Sequence, residues 1–339
     1  MTTTKPETCW RVHRLPDGTV TSGREPPGWD AAAGSSAGDL VIRVEAAGVN
    51  YKDALCCAGH PGVMRSSPLV PGIDAAGSVA VGNGSFAAGA AVVVTGHGMG
   101  EVRDGGFATL LRMPASAVLA RPPGLSAEAA MALGTAGLTT LLACDRLEML
   151  VSGRHAAGAE AWLVTGASGG VGMLAVAALA AAGRRVVACS RKTAVADTLR
   201  ALGAAEVVEP AAIRDPTPKS LVKGRWAGVV DTVGGPLLAE VLRAVRPGGA
   251  VAAIGMAGGA DLLTSVHPFI LRGVTLAGID AAGLPTHAER AALWLRLAAL
   301  WPRIAAMFPV TRLAIAEVGA WADRMRAGET SGRGVVIPG

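Results

Sequence analysis

The sequence is poor in aromatics, which make up 4% of its residues and include a single tyrosine, Tyr51. Any chemistry that needs a phenol therefore has one candidate. The five cysteines (Cys9, Cys56, Cys57, Cys144, Cys189) are odd in number and form no C-x-x-C pair. That pattern excludes a disulfide framework and a zinc knuckle, and it fits reduced thiols in a cytosol. No apolar run reaches the roughly eighteen uncharged residues of a membrane span, and the stretch MTTTKPETCWRVHR has no apolar signal core. A soluble, cytoplasmic protein with no membrane partner is expected. Charge is not concentrated either: 31 basic and 26 acidic residues give a net +5, with the arginines scattered. A nucleic-acid footprint would be denser, whereas a mild positive bias suits an anionic small molecule.

What the chain has in abundance is alanine and glycine, as in MLAVAALAAAG (173 to 183), a composition for small-residue helices packed close to a sheet. At 339 residues two domains are expected. The first third reads as strands and turns: CWRVHRL, the turn PDG, TVTS, a Gly/Ser/Pro-rich connector, and DLVIRVEAAGV, where LVIRVE alternates apolar and polar. Near residue 122 the pattern changes. Ser126 suits a helix N-cap with Glu128 in the first turn. From Ala161 to about Asp280 strand-like runs (AWLVTG, RRVVACS, AEVVE, AGVVDTVG, GGAVAAIG, TLAGID) alternate with helical ones, the mark of a parallel sheet covered on both faces. The tail offers two helices and closing strands.

The clearest local signal is WLVTGASGGVGMLAVAALAAAGRRVVACSRK (162 to 192). A β-branched strand enters a loop with Gly166, Gly169, Gly170 and Gly172, and a helix follows at once. Such glycines allow close backbone approach to a pyrophosphate, while the helix N-terminus supplies free N–H groups and a favourable dipole. The end of the next strand selects the dinucleotide. An NAD site places a carboxylate there for the ribose hydroxyls; this chain has Ser190, Arg191 and Lys192. A hydroxyl and two cations would bind a 2′-phosphate through charge-assisted hydrogen bonds, so NADPH is the predicted cofactor. The polar stretch Asn50, Tyr51, Lys52, Asp53 reads on its own as a turn after a strand.

These residues together resemble the medium-chain dehydrogenase/reductase superfamily, and within it the zinc-free quinone oxidoreductase branch, especially the acrylyl-CoA reductase group. The resemblance rests on NYKDAL (50 to 55), PGIDAAG (71 to 77), GTAGLTT (134 to 140), TGASGGVG (165 to 172), WAGVVDTVGG (226 to 235), MAGGADLLTSVHPFILRGVTLAGID (256 to 280) and a closing GRGVVIP. It implies an α/β protein: a Rossmann doubly wound parallel-sheet domain at 125 to 284, and a GroES-like, mainly-β catalytic domain from 1 to 124 and 285 to 339. It implies NADPH contacts at Tyr51, Ser168, Gly169, Gly170, Val171, Ser190, Arg191, Lys192, Arg225, Met256 and Arg333. It also implies a small-molecule substrate and a homodimer formed through the last Rossmann strand, TLAGID.

Zinc-dependent relatives carry a cysteine where this chain has Asn50, and a His-Glu pair where it has Ile73 and Asp74. Isoleucine binds no metal, and residues 95 to 115 lack the four cysteines of a structural zinc lobe. The six histidines (His13, His60, His97, His155, His267, His287) form no metal-binding spacing; His60 and His97 are the two to test as substrate contacts. Without zinc, alcohol oxidation gives way to reduction of an activated C=C bond. Tyr51 would then donate a hydrogen bond or a proton, and Asn50 would orient cofactor or substrate. Lys52 could bind an anion or face solvent, and Asp53 could hold Lys52 or cap a turn. Departures from the group are His97 in place of an aromatic, and Arg103-Asp104 in place of a His-Trp pair. They leave the acceptor open: an enoyl thioester such as acryloyl-CoA, a small enone or enal, or a quinone. A non-catalytic NADPH-binding protein is the alternative of another class.

Overall fold

The protein, a computed structural model, is described over residues 6–28, 39–151, 160–283 and 286–339. Part of the Gly/Ser/Pro-rich connector, His155 and the expected boundary at 284/285 lie outside the described residues. In chain order, β1 (Cys9–Arg14) and β2 (Val20–Glu25) form a hairpin, and β3 (Asp39–Gly48) is followed by helix α1 (Tyr51–Cys57). Next come β4 (Asp74–Val81), β5 (Ala91–Thr95), β6 (Leu110–Pro114) and β7 (Leu119–Ala120). Helix α2 (Ala127–Val151) begins where expected, with the Ser126 hydroxyl accepting from the Ala129 N–H at 3.1 Å. The alternating stretch is β8 (Ala161–Val164), α3 (Gly170–Ala181), β9 (Arg185–Cys189), α4 (Ala196–Ala201), β10 (Ala204–Val208), β11 (Trp226–Asp231), α5 (Gly235–Arg243), β12 (Val245–Ala253), α6 (His267–Arg272) and β13 (Thr275–Gly278). The tail gives α7 (His287–Ile304), β14 (Val310–Leu313), α8 (Val318–Arg326) and β15 (Arg333–Val336).

These elements form two compact units, one of Met1–Thr135, Ala282–Trp301 and Pro309–Gly339, the other of Ala136–Ala281 and Pro302–Phe308. In the first, a sheet runs β14-β15-β3-β4-β5-β7, with β6 also on β3. All its pairings are antiparallel except β14 with β15. The alternation seen in LVIRVE turns Leu40, Ile42 and Val44 into a core with Val92, Met99, Phe107, Met113 and Trp321. The register sets Gly48, Asp74 and Thr95 side by side across β3, β4 and β5. One rim of the sheet thus carries the ends of three adjacent strands.

The second unit is a parallel sheet in the order β10-β9-β8-β11-β12-β13. Numbered within the unit, that is 3-2-1-4-5-6, and the order reverses between β8 and β11. Buried Leu163, Val187, Val229, Val241, Leu242 and Val251 fill the space beneath its helices. A ligand site is expected beyond the carboxyl ends of β8 and β11, at the reversal. Helix α2 is the one described helix long and apolar enough to cross a membrane, and 83% of its apolar window is buried, as in a core helix.

One expectation fails. The stretch beginning at Tyr51 is not a turn but a helix, because Asn50 and Asp53 make a capping box. The Asp53 carboxylate accepts the Asn50 backbone N–H at 2.8 Å, which satisfies an N-terminal donor and starts the helix. The spacing N-x-x-D carried this signal in the sequence.

Candidate functional site

In the parallel unit, the loop from β8 to α3 is laced to the loop after β11. The Thr165 hydroxyl donates to Asp231 at 2.6 Å, the Thr232 N–H donates back to Thr165 Oγ1 at 3.1 Å, and the Gly234 N–H reaches the other Asp231 oxygen at 2.8 Å. Burial pushes the Asp231 carboxyl up, against these donors. Helix α3 starts at Gly170 with no side chain capping it, so its first N–H groups are open to an anion. A Cβ on Gly172 would collide with the Gly166 carbonyl oxygen; only glycine lets the helix sit this close to the loop. Ser168, Gly169, Gly170 and Val171 are all half-buried along this mouth.

At the end of β9, Ser190 is buried and its Oγ accepts the Lys192 N–H at 3.0 Å, while Arg191 is exposed. Met256, 54% exposed, follows β12 beside Gly234. These residues share the carboxyl edge of the sheet. Arg225 does not join them: it precedes β11 at the opposite edge, and six residues at about 3.3 Å each put roughly 17–20 Å between it and the glycine loop. There its guanidinium lies 4.3 Å from the Trp226 ring and donates to the Ala212 carbonyl at 2.8 Å. The expected dinucleotide contact at Arg225 is therefore corrected to a structural one.

In the sheet unit, the rim bearing Gly48, Asp74 and Thr95 holds a buried polar network. Arg333 directs all five of its N–H donors inward: to Ala132 O (3.2 Å), Val49 O (2.8 Å), Asn50 Oδ1 (2.9 Å), Met131 O (3.2 Å) and Asp74 Oδ2 (3.4 Å). None is left for a cofactor, so this expected contact is also corrected. The cation instead neutralises Asp74, which further accepts from Asn50 Nδ2 at 2.8 Å and from the Thr135 N–H at 2.9 Å. Gly134 breaks the helical backbone of α2 at φ 46°, where a Cβ would strike Asp74 Oδ2. Burial lowers the Arg333 guanidinium, with Asp74 and Asp53 opposing.

Asp53 completes the network. One oxygen accepts the Gly72 and Ile73 N–H groups at 3.0 and 2.9 Å; the other accepts Asn50 N and Nδ2 at 2.8 and 3.3 Å. Burial raises its pKa to about 7, held down by its N–H partners and pushed up by Asp74. Asn50 is thus fixed on every side, and beside it Tyr51 stands at the first position of α1, 37% exposed. The two open questions about this stretch resolve as a cap and an ion pair: Lys52 donates to Glu101 at 2.6 Å, and Arg65 donates to the same carboxylate at 2.8 Å. Cys56 and Cys57 pack, and burial raises both thiols, Cys56 to about 12. Among the described residues no three or more His, Cys, Asp or Glu side chains gather as metal ligands.

Sequence reasoning missed Asp74, Thr135 and Glu101 as partners, because they lie far along the chain and only the strand register brings them together. Of the residues it selected, Asn50 and Arg333 meet in the sheet unit, with Tyr51 next to Asn50 at the start of α1. Ser168 to Val171, Ser190 to Lys192 and Met256 meet in the parallel unit.

Comparison with known proteins gives the class. A family model described as "Alcohol dehydrogenase GroES-like domain" matches residues 36–123, and one described as "Zinc-binding dehydrogenase" matches 170–297. The chain is an oxidoreductase with a GroES-like domain and a Rossmann-type dinucleotide-binding domain, and it belongs to the medium-chain dehydrogenase/reductase superfamily. Within that class it is 41% identical to acrylyl-CoA reductase AcuI of Ruegeria pomeroyi over 303 residues, 88% of this chain and 90% of that one. It is 42% identical to the "Putative quinone oxidoreductase YhfP" of Bacillus subtilis over 260 residues, 76% of this chain and 78% of that one. A crystal structure of B. subtilis yhfP with NAD bound matches with a TM-score of 0.88 at 35% identity, covering 98% and 100% of the two chains. The yhdH oxidoreductase of Salmonella enterica in complex with NADP also matches with a TM-score of 0.88, at 36% identity and the same coverage.

Proposed function

We propose that this protein is an NADPH-dependent reductase of activated carbon–carbon double bonds, working without zinc. The observation that carries the reading is the Asn50–Asp74–Arg333 network, whose Asn50 and Asp74 stand, by the resemblance, where zinc-dependent relatives carry metal ligands. Asn50 has its amide committed on both ends, Ile73 is a hydrocarbon, and Asp74 is neutralised by Arg333. Zinc does not fit this donor set, and no step is assigned to a metal.

The dinucleotide fits. The open start of α3 and the glycine approach at Gly166 and Gly172 would take its pyrophosphate, with Ser168 to Val171 around it. Ser190, Arg191 and Lys192 would take a 2′-phosphate, for which no carboxylate competes at that strand end. Bound there, NADPH supplies a hydride. The protein's own part is to orient the acceptor and to stabilise negative charge growing on its carbonyl oxygen. Tyr51 is suited to that: the residue is partly exposed, and its backbone is fixed by the capped helix start. A phenol can donate a hydrogen bond to the oxygen or a proton to the α-carbon.

Quinone reduction is the second reading, favoured by the YhfP likeness, and it differs only in the acceptor. Loss of NADPH absorbance across crotonyl-CoA, simple enones and quinones separates the two. Tight NADPH binding with no turnover on any acceptor would refute both and leave a cofactor-binding protein.

The reading includes a homodimer. Among the described residues β13 is the edge strand of the parallel sheet with one unpaired side, and Leu263, Val266, Ile270 and Leu271 nearby are 93, 63, 70 and 63% exposed. Pairing of two β13 edges would continue the sheet and cover these side chains. Light scattering should give twice the chain mass, and Ile270→Asp should halve it; a monomeric native protein would refute this.

A further inference from the structure

The loop after β5, which exposes His97, Val102 and Arg103 and buries Gly96, Met99 and Gly100, is tightly constrained. Gly96, His97 and Gly98 all lie in the left-handed region, at φ 75°, 56° and 79°. His97 is the one non-glycine residue with positive φ among those described, a conformation an L-residue holds only when its surroundings enforce it. The surroundings do so here. Fully buried Met99 anchors the loop, and the Met99 N–H to Gly96 O, Val102 N–H to Gly98 O and Gly100 N–H to Arg103 O bonds close it at 3.1, 3.0 and 2.9 Å. Buried Arg290 holds its base by donating to Thr95 and Ala282.

The loop leaves the rim of the sheet that carries Tyr51. Gly48, Asp74 and Thr95 are in register; Tyr51 follows Gly48 by three residues, and His97 follows Thr95 by two. β3 and β5 are two strand spacings apart, about 10 Å. The ion pairs of Lys52 and Arg65 with Glu101 tie α1 and the segment after it to this loop. The Glu101 side chain is 13% exposed, beneath two cations at 38% and 56%.

Charge on this surface is unbalanced. Glu101 is shared by two cations, and Asp104 turns away, accepting Arg11 at 3.3 Å and the Val70 N–H at 2.9 Å. Arg103 is exposed and has no hydrogen bond or ion pair from its side chain among the described residues. Its Nε lies 3.7 Å from where a Cβ of Gly98 would be, so the guanidinium stands beside His97. Partial burial, then Arg290, His287 and Arg103, lower the His97 pKa, which leaves the imidazole neutral and the fixed positive charge on Arg103.

We propose that the loop 96–103 is an oxyanion-recognition site for the acceptor, in which Arg103 grips a phosphate or carboxylate of the substrate and His97 shapes the approach to Tyr51. An arginine fork suits either anion bidentately. The phosphates would come from a coenzyme A carrier, the carboxylate from the acceptor itself. The proposal rests on the reductase reading and deepens it: the natural acceptor is anionic, and Arg103 is its specificity residue.

The test uses Arg103→Met and Arg103→Lys in the full chain, with calorimetric titration of three unreactive or slow probes: acetyl-CoA, succinate, and the uncharged acetyl thioester of N-acetylcysteamine. Arg103→Met should weaken one anionic probe by about tenfold or more, the loss typical of a charge-assisted contact. It should leave the uncharged thioester unchanged, and Arg103→Lys should fall between. Loss on acetyl-CoA assigns the phosphate source, and loss on succinate the carboxylate. Equal loss on the uncharged thioester, or no binding of either anion to the native protein, overturns the proposal. Because the titration needs no turnover, a protein that binds these anions through Arg103 yet reduces nothing would sink the reductase reading alone. One that reduces neutral enones while ignoring both anions would sink only this site.

Discussion

Replacing Asp53 by asparagine should remove a pH dependence from the protein's stability. Asp53 is wholly buried, and its carboxyl is raised from an ordinary 3.8 to about 7. Between those values the folded protein keeps a proton that the unfolded chain has released, so stability is greatest below about pH 4, falls as pH rises, and levels off above about 7. Each pH unit in that window is worth about 1.36 kcal/mol, so the native protein should lose about 2.5–3 kcal/mol between pH 5 and pH 8 through this one group. The facing charges, Asp74 and Arg333, remain in the variant. Asparagine cannot titrate, and its oxygen can still accept the Gly72 and Ile73 N–H groups. Its amide would face the Asn50 N–H, donor against donor, which adds a constant cost at every pH. Urea unfolding followed by tryptophan fluorescence at pH 5, 6, 7 and 8 should therefore give a falling line for the native protein. The variant's line should be lower and flatter by about that amount. Parallel lines, or native stability that rises with pH across this range relative to the variant, would refute the reasoning.

Tyr51→Phe should lower kcat by about tenfold or more while leaving unfolding midpoints unchanged, because the hydroxyl has no hydrogen-bond partner among the described residues; full turnover would remove it from the mechanism. Arg191→Ala combined with Lys192→Ala should raise KM for NADPH on the order of 10- to 100-fold and barely move KM for NADH. Equal effects on the two cofactors would count against a 2′-phosphate site. His97→Gly relieves a left-handed histidine, so thermal unfolding should show a gain of up to about 1 kcal/mol. A clear loss of stability would mean that the imidazole holds the loop rather than being held by it.

The parallel unit was legible because its signals are local. Strand, glycine loop and helix follow one another within residues 162 to 192, and Gly166 and Gly172 each meet a nearby obstacle, Thr232 and the Gly166 carbonyl. Arg225 was misplaced because proximity in sequence to a strand does not say which end of the sheet it occupies. In the sheet unit Tyr51 and Asn50 could be picked out, but their surroundings could not. Asp74 comes from the next strand, Thr135 from a helix 61 residues later, and Arg333 from a strand 259 residues away. The helix at Tyr51 was in fact written in the sequence as N-x-x-D; polar composition hid it behind a turn.

The route of the chain through this network sets an order of assembly. Asp53, in α1, and Asp74, in β4, enter the sheet unit early, but the cation Arg333 follows the entire parallel unit. At about 5–20 residues per second, roughly 260 residues of synthesis separate Asp74 from Arg333, on the order of 10–50 s. Through that interval the nascent sheet unit has two carboxylates to bury and no guanidinium to balance them, whereas the parallel unit has nearly all its strands and helices in one continuous run. The dinucleotide-binding half can therefore reach its native form on the ribosome, and the half bearing Tyr51 is completed last, when β15 delivers Arg333.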